Sequence, residues 1–185
     1  MPLKIFLTLF FISLPAAANT LLSGQPLPPL AIAERGELLL EADEFSFSPW
    51  QTPQATGKVQ VLQYLAARTS ARDQSKAFTD RLEDEVPYGN YHMTTIINLD
   101  DAIWGTSGFV LGELKSSKRK YPLSTIVLDE EGLGLRTWQL QDGGANILIS
   151  DPQGRLSYVK HGVMSEQEIE TALELIKAQI AELGD

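Results

Sequence analysis

Arg68, Thr69, Ser70 and Arg72 put two guanidinium groups and two hydroxyls into one short stretch that reads as the start of a helix. Guanidinium groups take carboxylates and phosphates through paired N–H donors, and a helix N-terminus adds unpaired backbone N–H groups at the positive end of its dipole. Such a set suits a small anion. A second polar stretch, Asn98, Asp100, Asp101 and Trp104, follows a strand-like pattern. In open α/β sheets ligands settle beyond the carboxyl ends of the strands. If the strands around Val59 and Met93 are neighbours, the two stretches face one another there. A cation in the first helical turn is unfavourable by roughly 0.3–1 kcal/mol unless an anion compensates it. For Arg72 that anion is either a ligand or an internal carboxylate, with Asp73, Asp100 and Asp101 as candidates.

Other chemistries have less behind them. His92 and His161 are the only histidines and stand outside any metal-ligand spacing, so they read as surface or capping residues and no metal or other cofactor is expected. Asp100-Asp101 and Asp129-Glu130-Glu131 lack a calcium-loop pattern and read as strand ends. Ser107 in "WGTSGF" is not in a GxSxG elbow. The chain has no cysteine, which removes thiol nucleophiles and disulfides together.

The elements that must hold these residues follow from periodicity. Val59–Leu65 is apolar on both sides, as in the centre of a parallel sheet. In the helix after it Phe78, Leu82 and Val86 form one stripe, and Ser70 with Asp73 resembles a capping box. Met93–Leu99 is a second core strand, and residues 107–119 form a helix ending in Lys115, Lys118, Arg119 and Lys120, cations that suit a helix C-terminus or, alternatively, a polyanion patch. Leu123–Leu128, Ala145–Ser150 and Leu156–Lys160 are strands, the last two joined by the turn Asp151–Gly154. Ser165–Glu168 is a full capping box opening a helix whose Ile169, Ala172, Leu173, Ile176 and Ile180 share a face. Leu27–Leu40 reads as two short strands joined at Glu34-Arg35-Gly36. After it comes a long Pro/Ser/Thr-rich connection in which Phe45, Phe47 and Trp50 act as packing anchors or, alternatively, as a stacking platform. Alternating strands and helices with a terminal hairpin and helix give an α/β layered domain.

The first residues set the compartment. Lys4 precedes an apolar run from Ile5 to Leu14, then Pro15 and Ala16-Ala17-Ala18, the pattern of a cleaved secretory signal over residues 1–18. Residues 19–185 are expected to form one exported domain, with no membrane span in the mature chain. Removing Lys4 takes the formal charge from -9 to -10, and so acidic a surface repels nucleic acid.

Several stretches taken together resemble the thioredoxin-like superfamily, in particular its exported redoxins. "GQPLPPLAIAERGELLL" resembles the N-terminal β-hairpin, and "GKVQVLQYLAARTSAR" the first core strand with the active-site loop. "YPLSTIVLDEEG" and "ANILISDPQGRLSYVKHGVMSEQEI" resemble the closing strands, hairpin and last helix. More narrowly, "ERGEL", "AARTSA", "TTIINLDDAI", "YPLSTIVLD" and "RTWQL" are similar to the YtfJ family of small periplasmic proteins of Gram-negative bacteria. The resemblance implies a thioredoxin-like fold, a central mixed sheet flanked by helices. It places Thr69 and Arg72 where redoxins carry their two cysteines, and Gly144-Ala145 where they carry a substrate-presenting proline. Both halves of the redox site are therefore replaced. The expectation is a redox-inactive domain that binds a protein or a small anionic ligand through Arg68, Thr69, Ser70, Arg72, Asp100, Asp101, Gly144 and Ala145. The rival readings are a non-thiol enzyme using Arg72 with Asp100 and Asp101, and a chaperone-like or structural module using the aromatic segment.

Overall fold

The computed structural model describes residues 21–53, 56–100 and 107–184. The proposed signal segment, Asp101 and Trp104 lie outside them. The elements in chain order are β1 (Ala31–Glu41), β2 (Glu44–Gln51), β3 (Val59–Ala66), α1 (Thr69–Glu85), β4 (Tyr91–Asn98), α2 (Ser107–Lys120), β5 (Thr125–Asp129), α3 (Leu133–Thr137), β6 (Ala145–Ser150), β7 (Leu156–His161) and α4 (Glu166–Ala181). The strands form one mixed sheet in the order β2-β1-β5-β4-β3-β6-β7. β3 runs parallel to β4, and β4 to β5, while the other neighbours are antiparallel.

β3 sits in the middle because its residues tolerate burial on both faces; only Gln63 is less than fully buried. Its odd-numbered side meets α1 and α4 through Val59, Val61, Phe78, Leu82, Ile147, Ile169 and Ile176. Its even-numbered side carries Leu62 and Tyr64 into a second core with Ile32, Trp50, Trp138 and Leu148. Each large aliphatic side chain so buried contributes about 1.5–3 kcal/mol. Phe78, Leu82 and Val86 all bury, as the stripe predicts. The Ser165 capping box forms in full: Ser165 Oγ accepts from the Glu168 N–H, and Glu168 Oε2 accepts from the Ser165 N–H at 2.8 Å.

The N-terminal hairpin exists, but not where the sequence puts it. β1 is one continuous strand, and Arg35-Gly36 forms a bulge inside it, with φ of 54° and 67°, rather than a turn. A Cβ on Gly36 would lie 2.3 Å from Ser48 O, so glycine alone fits there. The turn is Ala42-Asp43, both at positive φ (46° and 67°), and it returns the chain as β2 where a long loop was expected. Two consecutive left-handed residues match the twist of a two-residue hairpin, a geometry normally marked by Asn or Gly. α3, five residues long, is a further element the sequence reading lacks.

Candidate functional site

At the carboxyl end of β3 both neighbouring strands pin the backbone. The Ala66 N–H donates to Gly144 O on the β6 side, and the Ala67 N–H to Asn98 O on the β4 side, each at 3.1 Å. β3 and β4 are therefore adjacent, as the facing of the two polar stretches requires. Arg68 follows in extended conformation as the N-cap of α1, with no side-chain cap. This corrects the expected Ser70–Asp73 box. The helix starts at Thr69, so Ser70 is already its second residue, and an arginine offers no acceptor to the first-turn N–H groups. Arg68, Thr69, Ser70 and Arg72 are all exposed. No acceptor among the described residues takes the backbone N–H of Thr69 or Ser70.

Arg72 is paired internally, with a carboxylate other than Asp73 or Asp100. Its Nη1 lies 3.0 Å from Glu113 Oε2 on α2, with both side chains about half exposed (55% and 44%). Asp100 is exposed, and its N–H donates to Asn98 Oδ1 at 3.2 Å. Asp101 cannot be placed, since it falls outside the described residues.

Gly144 and Ala145 do lie beside the head of α1, and a side chain occupies the space over them. Gln74 Oε1 accepts the Ala145 N–H at 2.9 Å and stands 2.7 Å from where a Cβ on Gly144 would be. Glycine at 144 thus makes room for the Gln74 amide. Nothing in the local sequence marks this bond, whose partners are 71 positions apart.

Asp129, at the carboxyl end of β5, is fully buried. Its carboxylate accepts from the Tyr64 hydroxyl at 2.9 Å and from the N–H groups of Leu133 and Gly134 at 2.9 and 2.8 Å. It fastens the start of α3 to the sheet. A Cβ on Gly134 would meet the Tyr64 ring at 2.4 Å. Among the described residues no group of three or more His, Asp or Glu side chains could hold a metal ion.

Both histidines are hydrogen-bonded near strand ends: His161 is exposed, as expected of a surface residue, whereas His92 is half-buried. His161 Nδ1 is 2.6 Å from Asn146 Oδ1, and His92 Nε2 is 3.1 Å from Thr125 Oγ1. Burial, reinforced by Lys58 and Lys118, holds the His92 pKa below the ordinary imidazole value. The cation-rich end of α2 is mostly engaged: Lys115 and Arg119 lie over the Phe45 ring, Lys118 Nζ donates to Ser124 O at 2.6 Å, and Lys120 pairs with Glu83. Of the aromatic trio Trp50 is buried, Phe45 is covered by those cations, and only Phe47 is exposed, at 39%.

Comparison with known proteins is consistent with this architecture. A family model described as "Bacterial protein of unknown function (YtfJ_HI0045)" matches residues 21–179. The chain is 37% identical over 172 residues to the uncharacterized protein YtfJ of Escherichia coli (strain K12), covering 92% of this chain and 94% of that one. It is 34% identical over 160 residues to an uncharacterized protein of Haemophilus influenzae, covering 86% and 87%. Among solved structures it resembles a chain assigned as a DsbE thiol:disulfide interchange protein from Chlorobium tepidum, with TM-score 0.58, 16% identity and coverage of 86% and 99%. The thioredoxin domain of a thiol-disulfide oxidoreductase from Bacteroides vulgatus gives TM-score 0.55, 12% identity and coverage of 84% and 99%. These two likenesses establish a thioredoxin-like fold.

Proposed function

The chain belongs to the YtfJ_HI0045 family, and from that premise we propose that it is a redox-inactive thioredoxin-like protein of the periplasm that works by binding a small anionic ligand at the head of α1. Thiol–disulfide exchange needs a thiolate, and the chain has no cysteine. What occupies the corresponding loop is an uncapped helix start. The observation that carries the reading is that no acceptor among the described residues takes the N–H groups of Thr69 and Ser70, both exposed residues, with Arg72 one turn on.

The Arg72–Glu113 ion pair does not close this site. Exposed pairs of this kind are worth only about 0–1 kcal/mol. A carboxylate or phosphate that also meets the helix N–H groups and dipole competes with Glu113 on favourable terms. Gln74 keeps the Ala145 N–H occupied, so Ala145 walls the site rather than donating to the ligand. Export rests on the signal pattern of residues 1–18. No described helix is long and apolar enough to cross a membrane.

The test is a titration of isotope-labelled protein with inorganic phosphate and acetate, following backbone amide resonances. Saturable shifts centred on Thr69 and Ser70, lost in Arg72→Ala, support the reading. Shifts that are absent there, or that grow linearly across the whole surface, overturn it.

A further inference from the structure

We propose that the opposite end of the sheet carries a second site, a groove that takes a small, neutral, polyhydroxylated molecule of the saccharide or polyol class. The groove lies at the amino ends of β3, β4 and β5 and has a volume of about 490 Å³, within the range of roughly 300–1,000 Å³ usual for small-molecule sites. It is well separated from the head of α1. Gln60 lies in it and Ala66 ends the same strand, six residues or about 20 Å further on.

Hydrogen bonding gives the groove its chemical character. Thr125 Oγ1 donates its one proton to Glu37 Oε1 at 3.3 Å. Its 3.1 Å contact with His92 Nε2 therefore requires the imidazole to donate from Nε2. With the ring neutral, Nδ1 is left as a bare acceptor, and no donor among the described residues reaches it. Gln60 repeats the pattern. Its amide nitrogen donates to Thr56 Oγ1 at 2.6 Å and to Lys58 O at 3.2 Å, which fixes the amide orientation. Gln60 is 9% exposed, and its Oε1 is buried without a partner. Leaving a buried acceptor unpaired is unfavourable. Thr94, in the same groove, has a hydroxyl with no hydrogen bond among the described residues.

The lining thus offers spare acceptors at Gln60 Oε1, His92 Nδ1 and the Thr94 hydroxyl, and these call for a ligand that carries donors. Charge narrows the class. Glu37 and Lys58 are the two ionic side chains of the lining and cancel. Lys118, buried close by, adds positive potential that disfavours an ammonium ligand, while Glu37 disfavours an anion. Hydroxyl groups supply donors without charge. Trp50, Pro49 and Pro53 give the apolar wall that the C–H faces of a sugar ring or polyol need.

The experiment is a titration of the labelled full mature chain with glucose, trehalose and myo-inositol, with ethylammonium and acetate as charged controls. Saturable shifts are expected at the Gln60 side-chain amide and at the His92 and Thr94 amides for at least one polyol, with Thr69 and Ser70 unmoved. His92→Phe is expected to weaken binding at least tenfold. Thr94→Val, nearly isosteric and without a hydrogen bond to lose, is expected to weaken it severalfold while leaving the unfolding transition in place. No saturable shift in the groove with any of the three polyols overturns the proposal, as does preferential saturation by ethylammonium or acetate. The head of α1 reports separately, so the two sites fail or succeed independently.

Discussion

The guanidinium of Arg72 in the first turn of α1 and the carboxylate of Glu113 on α2 meet at 3.0 Å. This contact joins two helices on the same side of the sheet and sets the charge state of the candidate anion site. Replacing Glu113 by Gln leaves the first-turn cation uncompensated. Stability is expected to fall by no more than about 1 kcal/mol, as for an exposed pair. Phosphate affinity is expected to rise, because the competing carboxylate is gone. Calorimetric titration of wild type and Glu113→Gln checks both the sign and the order.

Asp129 makes a heavier demand. Asp129→Ala removes the acceptor for the buried Tyr64 Oη and Gly134 N–H and for the partly buried Leu133 N–H. Each orphaned buried donor is worth about 1–3 kcal/mol, so a loss of about 3–5 kcal/mol is expected. At roughly 2–4 °C per kcal/mol for a chain of this size, the melting temperature falls by about 6–20 °C. Thermal unfolding followed by circular dichroism measures it. A shift under 2 °C would mean that the carboxylate does not fasten α3.

Gly134→Ala tests the same junction sterically. The new methyl would overlap the Tyr64 ring, which sits edge-on to Trp138 with a centroid distance of 6.4 Å. Overpacking of this sort costs about 1–3 kcal/mol. Denaturant unfolding is expected to show a lowered midpoint with an unchanged slope.

Among the groups that make stability fall on acidification, His92 and Glu168 act in separate windows. The His92 pKa is depressed by burial first, then by Lys58 and Lys118, so protonation favours the unfolded chain. Its contribution is complete above the ordinary value of 6.5 and is lost as the pH drops below it. The Glu168 pKa is held down to about 2, first by Lys160, then by the Ser165 backbone and hydroxyl. Its contribution is complete above 4.5 and is lost as the pH falls toward about 2. Melting temperatures against pH are expected to flatten below 6.5 in His92→Gln and, separately, below 4.5 in Glu168→Gln. An unchanged slope in either variant would contradict its assignment.

The parts of the fold that could be read ahead are those in which burial itself writes the pattern. β3 and β6 are buried on both faces, and each carries apolar residues at both odd and even positions. α1 shows its stripe at Phe78, Leu82 and Val86, and α4 announces itself by Ser165 and Glu168. The hairpin was misplaced because its turn uses Ala42 and Asp43, residues that reach positive φ without advertising it, whereas Arg35-Gly36 looks like a turn and is a bulge. The pairing of Arg72 with Glu113 is not legible in the sequence for a related reason. Asp73 and Asp100 are near in sequence or at a neighbouring strand end, but Glu113 arrives from a helix 41 residues away. Gln74 and the His92–Thr125–Glu37 chain were missed because polar residues at strand entries and on helices look like solvent-facing ones until tertiary structure brings them together.

The most direct test of the central claim is thermal unfolding of the mature chain with inorganic phosphate, comparing wild type, Arg72→Ala and Glu113→Gln. A site filled to a hundredfold over its dissociation constant adds about 2.7 kcal/mol, or about 5–11 °C at roughly 2–4 °C per kcal/mol. The account predicts a saturable rise of that order in wild type, an equal or larger one in Glu113→Gln, and none in Arg72→Ala. A rise that Arg72→Ala retains in full, or no rise in any of the three, would contradict an anion site at the head of α1.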